Sequence, residues 1–178
     1  MLCRTEAQAQ EALRRMGLIL EHLRWEAHPE KTRLVALGGG KESFEFLGCR
    51  LRTYRSVRYP GRMYVQRWPS PRSMKRVRAR IRALTDARHS GVKDVRVLIA
   101  RLNPVLRGWG NYFRTGNASR KFNQIDHYVR QRLGLCLARR RGYQDRHVAI
   151  SQWSFGWFWG LGLHRLFGTV RYPGAAHA

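Results

Sequence analysis

Read from the amino end, the apolar positions first keep helical spacing: Ala9, Ala12, Leu13, Met16, Leu20 and Leu23 recur at intervals of three and four for about five turns. Thr5 and Gln8 form a candidate capping box ahead of them. Gly17 is a weak point inside the run rather than a stop, and His28-Pro29-Glu30 is expected to end it. The pattern then changes. Residues 32–37 and 44–51 are short, partly alternating apolar runs on either side of Gly38-Gly39-Gly40-Lys41-Glu42-Ser43, which predicts a hairpin with a flexible connection. Residues 54–57 and 63–68, around Tyr59-Pro60-Gly61, predict a second hairpin, with Arg52, Arg55, Arg58, Arg62 and Arg67 on or beside it.

Pro69-Ser70-Pro71 reads as a boundary, and beyond it the helical period returns. Met74, Val77, Ile81 and Leu84 make one stripe, while Lys75, Arg76, Arg78, Arg80 and Arg82 load the remaining faces, which suits a helix with one side for a core and the rest for phosphates or solvent. Ser90 is the expected cap of a following helix on which Val95, Leu98, Ile99 and Leu102 share a face. Asn103-Pro104 then reads as a fresh helix start: Asn accepts from the first free amides, and Pro at the first position lacks an N–H that would be orphaned anyway. Val105, Trp109, Tyr112 and Phe113 share a face of that helix, with Trp109 and Phe113 expected in the core, Tyr112 evenly balanced between core and surface, and Arg107 and Arg114 pointing elsewhere. Gly108 and Gly110 would each cost about 1 kcal/mol against alanine inside a helix, so close packing of another backbone, protein or RNA, is the expected compensation.

Ser119 is the expected cap of a last long helix with Phe122, Ile125, Val129, Leu133 and Cys136 aligned, ending near Arg139-Arg140-Arg141-Gly142. The aromatic stretch 153–159, followed by Leu161, Leu163, Leu166 and Phe167, reads as a final core helix, with an exposed stacking platform as the alternative; residues after Tyr172 read as a frayed end. The fold class these patterns predict is α+β: an N-terminal helix plus short antiparallel strands over residues 1–70, then a small all-helical bundle over residues 71–178.

Charge narrows the function. The chain has 35 basic and 11 acidic residues, a net charge of +24. The excess is uneven, because residues 1–70 carry 13 Lys/Arg against 7 Asp/Glu and residues 71–178 carry 22 against 4. Arginine greatly outnumbers lysine, and its planar fork suits phosphates and stacked bases. A polyanion is the expected partner, and nucleic acid is preferred to a membrane because no apolar run approaches a spanning length.

Catalytic chemistry is harder to find. No Asp-Asp pair is present to hold two metal ions; Asp86, Asp94, Asp126 and Asp145 are scattered and each is expected to pair with a surface cation, while His127 and His147 read as ordinary. The glycines at 38–40 are not followed by the Lys-Ser/Thr helix start of a phosphate loop. Cys3, Cys49 and Cys136 are far apart and lack zinc spacing, and the first residues lack a signal-peptide layout, so a reducing cytoplasm is the expected compartment.

The run from Leu102-Asn103-Pro104 through Arg107-Gly108-Trp109-Gly110-Asn111-Tyr112-Phe113-Arg114-Thr115-Gly116-Asn117 closely resembles the signature of the maturase-specific region, also called domain X or the thumb, of group II intron reverse transcriptases. The resemblance extends upstream from Ser90 to Arg101 and downstream from Ala118 to Asp126. Glu30-Lys31-Thr32 followed by Phe44-Glu45-Phe46-Leu47-Gly48 resembles the last blocks of a reverse-transcriptase palm, with Cys49 where the family often has an aromatic. The resemblance implies a helical thumb after a partial palm, with the family's catalytic Tyr-x-Asp-Asp block expected just upstream of the helix that opens at Thr5, so that Met1 falls after it.

A maturase module binding structured intron RNA to help it fold and splice is the implied function, with Arg72, Lys75, Arg76, Arg80, Arg107, Tyr112, Arg114, Arg120 and Lys121 as the expected RNA-binding residues. The alternative is a split or remnant RNA-directed DNA polymerase whose thumb grips a primer–template duplex once an upstream fragment is supplied. A generic basic nucleic-acid binder is the blandest reading. No cofactor is expected in this chain; Mg2+ is expected only at the palm site upstream and on the RNA.

Overall fold

The structure, a computed structural model, describes residues 3–38, 40, 42–86, 94–140 and 152–172. Helix α1 (Glu6–His22) is followed by strands β1 (Ser43–Phe46), β2 (Cys49–Arg55) and β3 (Met63–Pro69), then by helices α2 (Pro71–Leu84), α3 (Val95–Phe113), α4 (Ser119–Arg140) and the short α5 (Phe155–Gly160). The strands form an antiparallel sheet in the order β1-β2-β3. The fold is therefore α+β, as the sequence patterns predict. The chain divides into two compact units, one of residues 1–44 and 52–65, the other of residues 45–51 and 66–178.

In the first unit, the Thr5 hydroxyl accepts from the Gln8 N–H as the capping box requires, although the Gln8 side chain accepts from the Arg4 N–H rather than from Thr5. The helix stops at His22, earlier than Pro29. Arg24 takes a left-handed conformation, with φ of 57°, and the N–H groups of Arg24 and Trp25 donate back to the carbonyls of Glu21 and Leu20. That reversal satisfies the last carbonyls of the helix without proline. Ala9, Ala12, Leu13, Met16 and Leu20 of the predicted stripe lie on the less exposed face of α1, but no residue of the helix is buried, and Leu18, Ile19 and the last stripe residue Leu23, just past the helix end, stand open.

The first predicted hairpin is displaced. Residues 32–37 form no strand, because a short apolar run becomes one only when a neighbour completes its ladder, and β1 pairs with β2 alone. The turn falls instead at Leu47-Gly48, inside the run predicted as one strand. Both residues have positive φ, 47° and 73°, which is the two-residue turn whose twist matches that of the flanking strands. A Cβ at Gly48 would find room, so it is the backbone angle that favours glycine there. The second hairpin forms as expected, with Gly61 at φ 82° in its connection.

The second unit holds the core. Ser70 caps α2 by accepting from the Ser73 N–H, with Pro71 in the first turn, and Met74, Val77 and Ile81 are buried along the predicted stripe. Helix α3 is capped by Asp94, whose carboxylate accepts from the Arg96 N–H. The suggested cap Ser90 lies outside the described residues, as do Gly142, Asp145, His147 and everything after Tyr172.

Asn103-Pro104 does not open a helix: α3 runs through it from Val95 to Phe113. An internal proline costs about 3 kcal/mol, whereas burying Leu102 and Leu106, both fully enclosed on either side of it, yields roughly 1.5–3 kcal/mol each. Asn103 is also engaged elsewhere. Its side-chain amide donates to the Gly162 carbonyl at 2.9 Å, and its oxygen accepts from the His164 N–H at 2.8 Å.

The buried face of α3 is Leu98, Ile99, Leu102, Leu106, Gly110 and Phe113, so Val105 and Trp109 lie on its flank and Tyr112 stays 55% exposed. The two glycines divide. A Cβ on Gly110 would sit 2.6 Å from a methyl of Leu166, so a side chain rather than a backbone occupies the space, whereas Gly108 faces open space. Gly108→Ala is therefore expected to raise stability by about 1 kcal/mol, read as a later urea midpoint. An earlier midpoint would show that the open space at Gly108 is needed.

Helix α4 buries Phe122, Ile125, Val129, Leu133 and Cys136 as its spacing predicts. Ser119 is its first residue rather than its cap, and its hydroxyl lies 3.4 Å from that of Tyr172. In the aromatic stretch, Trp153 and Phe158 are buried with Leu163 and Leu166, while Trp157 and Phe167 remain exposed. Asp126 is the main departure among the acids, since it is 6% exposed and, among the described residues, is in no ion pair with a cation. Its two oxygens accept from the N–H groups of Leu166 at 3.2 Å and Phe167 at 2.8 Å, pinning the C-terminal segment to α4.

Candidate nucleic-acid interface

Helix α2 turns one stripe inward and leaves Arg72, Lys75, Arg76, Arg78, Arg80 and Arg82 exposed. Among the described residues none of the six is in an ion pair, and the helix contains no acid. Cations three and four positions apart repel one another, so this surface is stable only because its core face is buried, and it gains whenever a polyanion approaches.

Arg72 and Arg76 are brought together in a depression of about 260 Å³, with Ser70 and Ser73 on one wall and Leu47-Gly48 on the other. Glu45 also borders it, but its carboxylate is taken by Arg50 at 3.0 Å. Tyr112 joins this edge indirectly: its hydroxyl donates to the Leu47 carbonyl at 2.8 Å, and its ring meets Phe113 edge-on. The hydroxyl is thus occupied while much of the ring is open.

The other expected residues scatter. Arg107 is exposed on α3, where its charge, after burial, helps hold the His164 imidazole below its usual value. Arg114 caps the C-terminus of α3, half-buried, and its carbonyl accepts from the Arg171 N–H at 2.7 Å. Arg120 borders a second groove on α4 and Lys121 is half-buried beside it in sequence, while Lys75 and Arg80 are exposed but border neither depression.

Sequence reasoning missed three residues. Arg78, treated only as one of a basic run, lines the α4 groove with Arg120, and its guanidinium lies 5.8 Å from the centre of the Tyr128 ring. Arg67 anchors the loop after α3: its guanidinium donates to the Thr115 hydroxyl, and its carbonyl accepts from the Asn117 N–H at 2.6 Å. A side chain on Gly116 would overlap that carbonyl, so the Gly116-Asn117 pair was the available signal. Arg132 reaches back to α2, donating to the Thr85 hydroxyl at 3.0 Å and the Thr85 carbonyl at 2.8 Å. Nothing local in the sequence announces that contact.

Residues 74–153 match the family model described as the group II intron, maturase-specific domain. This stretch is similar to the group II intron maturase-specific domain. The match begins inside the first turn of α2 and covers α3 and α4, so the matched stretch includes every expected RNA-binding residue except Arg72, which lies just before it. No curated protein matches the chain. Among the described residues, no helix is long and apolar enough to cross a membrane, and no three His, Cys, Asp or Glu side chains gather as metal ligands. The matched stretch is thus a helical scaffold whose outward chemistry is cationic.

Proposed function

We propose that this maturase-specific domain grips structured group II intron RNA and helps it reach its splicing-active fold. The observation that carries the reading is the exposed face of α2, where every charged side chain is a cation and none is paired within the described protein. Such a face reads the phosphate track rather than base sequence, so sequence preference is modest. Magnesium enters with the RNA in this reading.

The test is a binding titration of an intron transcript over a range of salt. Affinity is expected to fall steeply, each neutralised phosphate adding about −0.7 to −0.9 to the slope of log affinity against log salt. A flat dependence would overturn the reading.

A second reading is the thumb of an RNA-directed DNA polymerase, gripping primer–template duplex when an upstream palm fragment is present. Leu18, Ile19 and Trp25, all more than half exposed, favour it, because an apolar surface of this kind gains by being covered. Extension of a primed RNA template on adding an upstream fragment, and not without it, would select this reading.

A further inference from the structure

The groove on α4 differs in chemistry from the α2 face. It measures about 420 Å³, within the range of roughly 300–1,000 Å³ in which small-molecule sites fall, and is bordered by Arg78, Arg120, Asn123, His127, Tyr128 and Gln131. Gln124 lies on the same wall. Cations thus stand at the groove with two rings and three side-chain amides between or beyond them. None of the three amides has a hydrogen-bond partner among the described residues, and none needs one while it faces water. Each offers a donor pair and an acceptor, the complement of a base edge.

The rings are held in place. His127 is exposed and meets Phe155 edge-on, with centroids 4.8 Å apart, and Phe155 in turn stacks on Trp159 at 5.4 Å. Arg130 covers Phe155 at 4.9 Å, and Arg165 covers Trp159 at 4.6 Å. Those outer rings already carry guanidinium groups. His127 and Tyr128 border the groove itself, and among the described residues Tyr128 has only the more distant Arg78 over it.

We propose that the α4 groove holds an unpaired nucleotide of the RNA, its base stacked against Tyr128 or His127, its edge bonded by the amides of Asn123, Gln124 and Gln131, and its flanking phosphates held by Arg78 and Arg120. This rests on the RNA-binding reading above and deepens it by assigning a single-stranded element to one place on the domain. Stacking on a ring tolerates any base, and amides on a helix select among edges only weakly, so the groove distinguishes unpaired from paired RNA more than one sequence from another. Paired bases keep both faces covered and cannot enter.

The test uses the full chain with two probes, a short unstructured oligoribonucleotide and a blunt RNA duplex of the same length. The triple variant Asn123→Ala/His127→Ala/Gln131→Ala changes only exposed side chains, and circular dichroism verifies its fold. It is expected to lose about tenfold in affinity for the single strand while its affinity for the duplex stays within about twofold. Arg72→Ala/Arg76→Ala is expected to weaken both probes. Equal losses on both probes, or no loss on either, would overturn the groove assignment while leaving the RNA-binding reading intact. Failure of the unaltered chain to bind either probe would overturn both.

Discussion

Replacing Arg72, Lys75, Arg76 and Arg80 together by glutamine is expected to lower affinity for a structured intron transcript by about a hundredfold near physiological salt, and to make the log–log salt slope shallower by about 3. The estimate follows from four lost phosphate contacts, each adding about 0.7–0.9 to the slope. Folding is not expected to suffer, because all four side chains are exposed and Met74, Val77 and Ile81 keep their burial. Glutamine is a good helix former, and removing crowded like charges relieves repulsion. The fourfold variant should therefore melt no earlier than the original chain. An unchanged salt slope would place the phosphate track elsewhere on the protein.

The second large effect concerns stability. Asp126→Ala is expected to cost about 3 kcal/mol, read as a fall in the urea midpoint, because it strands the N–H groups of Leu166 and Phe167. The Leu166 side chain is fully buried, its N–H bond to Asp126 is buried too, and a methyl of Leu166 fills the space that Gly110 leaves open, so loosening this segment also disturbs α3. A variant as stable as the original would show that water or another acceptor takes over.

The same residue gives a pH dependence with a definite sign. Burial raises the Asp126 carboxyl above its ordinary value, against the lowering effect of the two backbone N–H groups and of the nearby Arg165 and His127. The folded chain therefore holds this proton more tightly than the unfolded chain. The stability that this titration contributes is full below the unfolded value of about 3.9 and is lost as pH rises through the folded one. The stability difference between the original chain and Asp126→Ala should consequently be larger near pH 4 than near pH 7. The opposite trend would mean that the carboxylate is the better-held form.

What the sequence alone made legible follows how locally each feature is encoded. The stripe through Met74, Val77 and Ile81 is legible because a 3.6-residue period acts within one or two turns. The resemblance to the maturase-specific region was legible through the ordered run around Trp109, and the match over residues 74–153 bears that resemblance out. Asn103-Pro104 misled because the same dipeptide that opens a helix can be carried inside one when burial on both sides outweighs the lost bond. Leu47-Gly48 was obscured because leucine seldom takes a positive φ, and only the pairing of β1 with β2 forces it.

By itself, then, the sequence determined the charge, the register of the buried helical stripes and the Thr5 cap, since these depend on neighbours within a few residues. Only the tertiary structure decided which polar groups are enclosed and which cations share a groove. Asp126 finds its donors 40 residues away at Leu166, and Arg132 finds Thr85 across 47. Arg78 and Arg120 come to one groove because α2 and α4 pack on each other through the same buried stripes. The physical reason is range: a capping bond or an amphipathic period is settled within a turn or two of chain, whereas burial is a property of whatever the folded chain places on the far side.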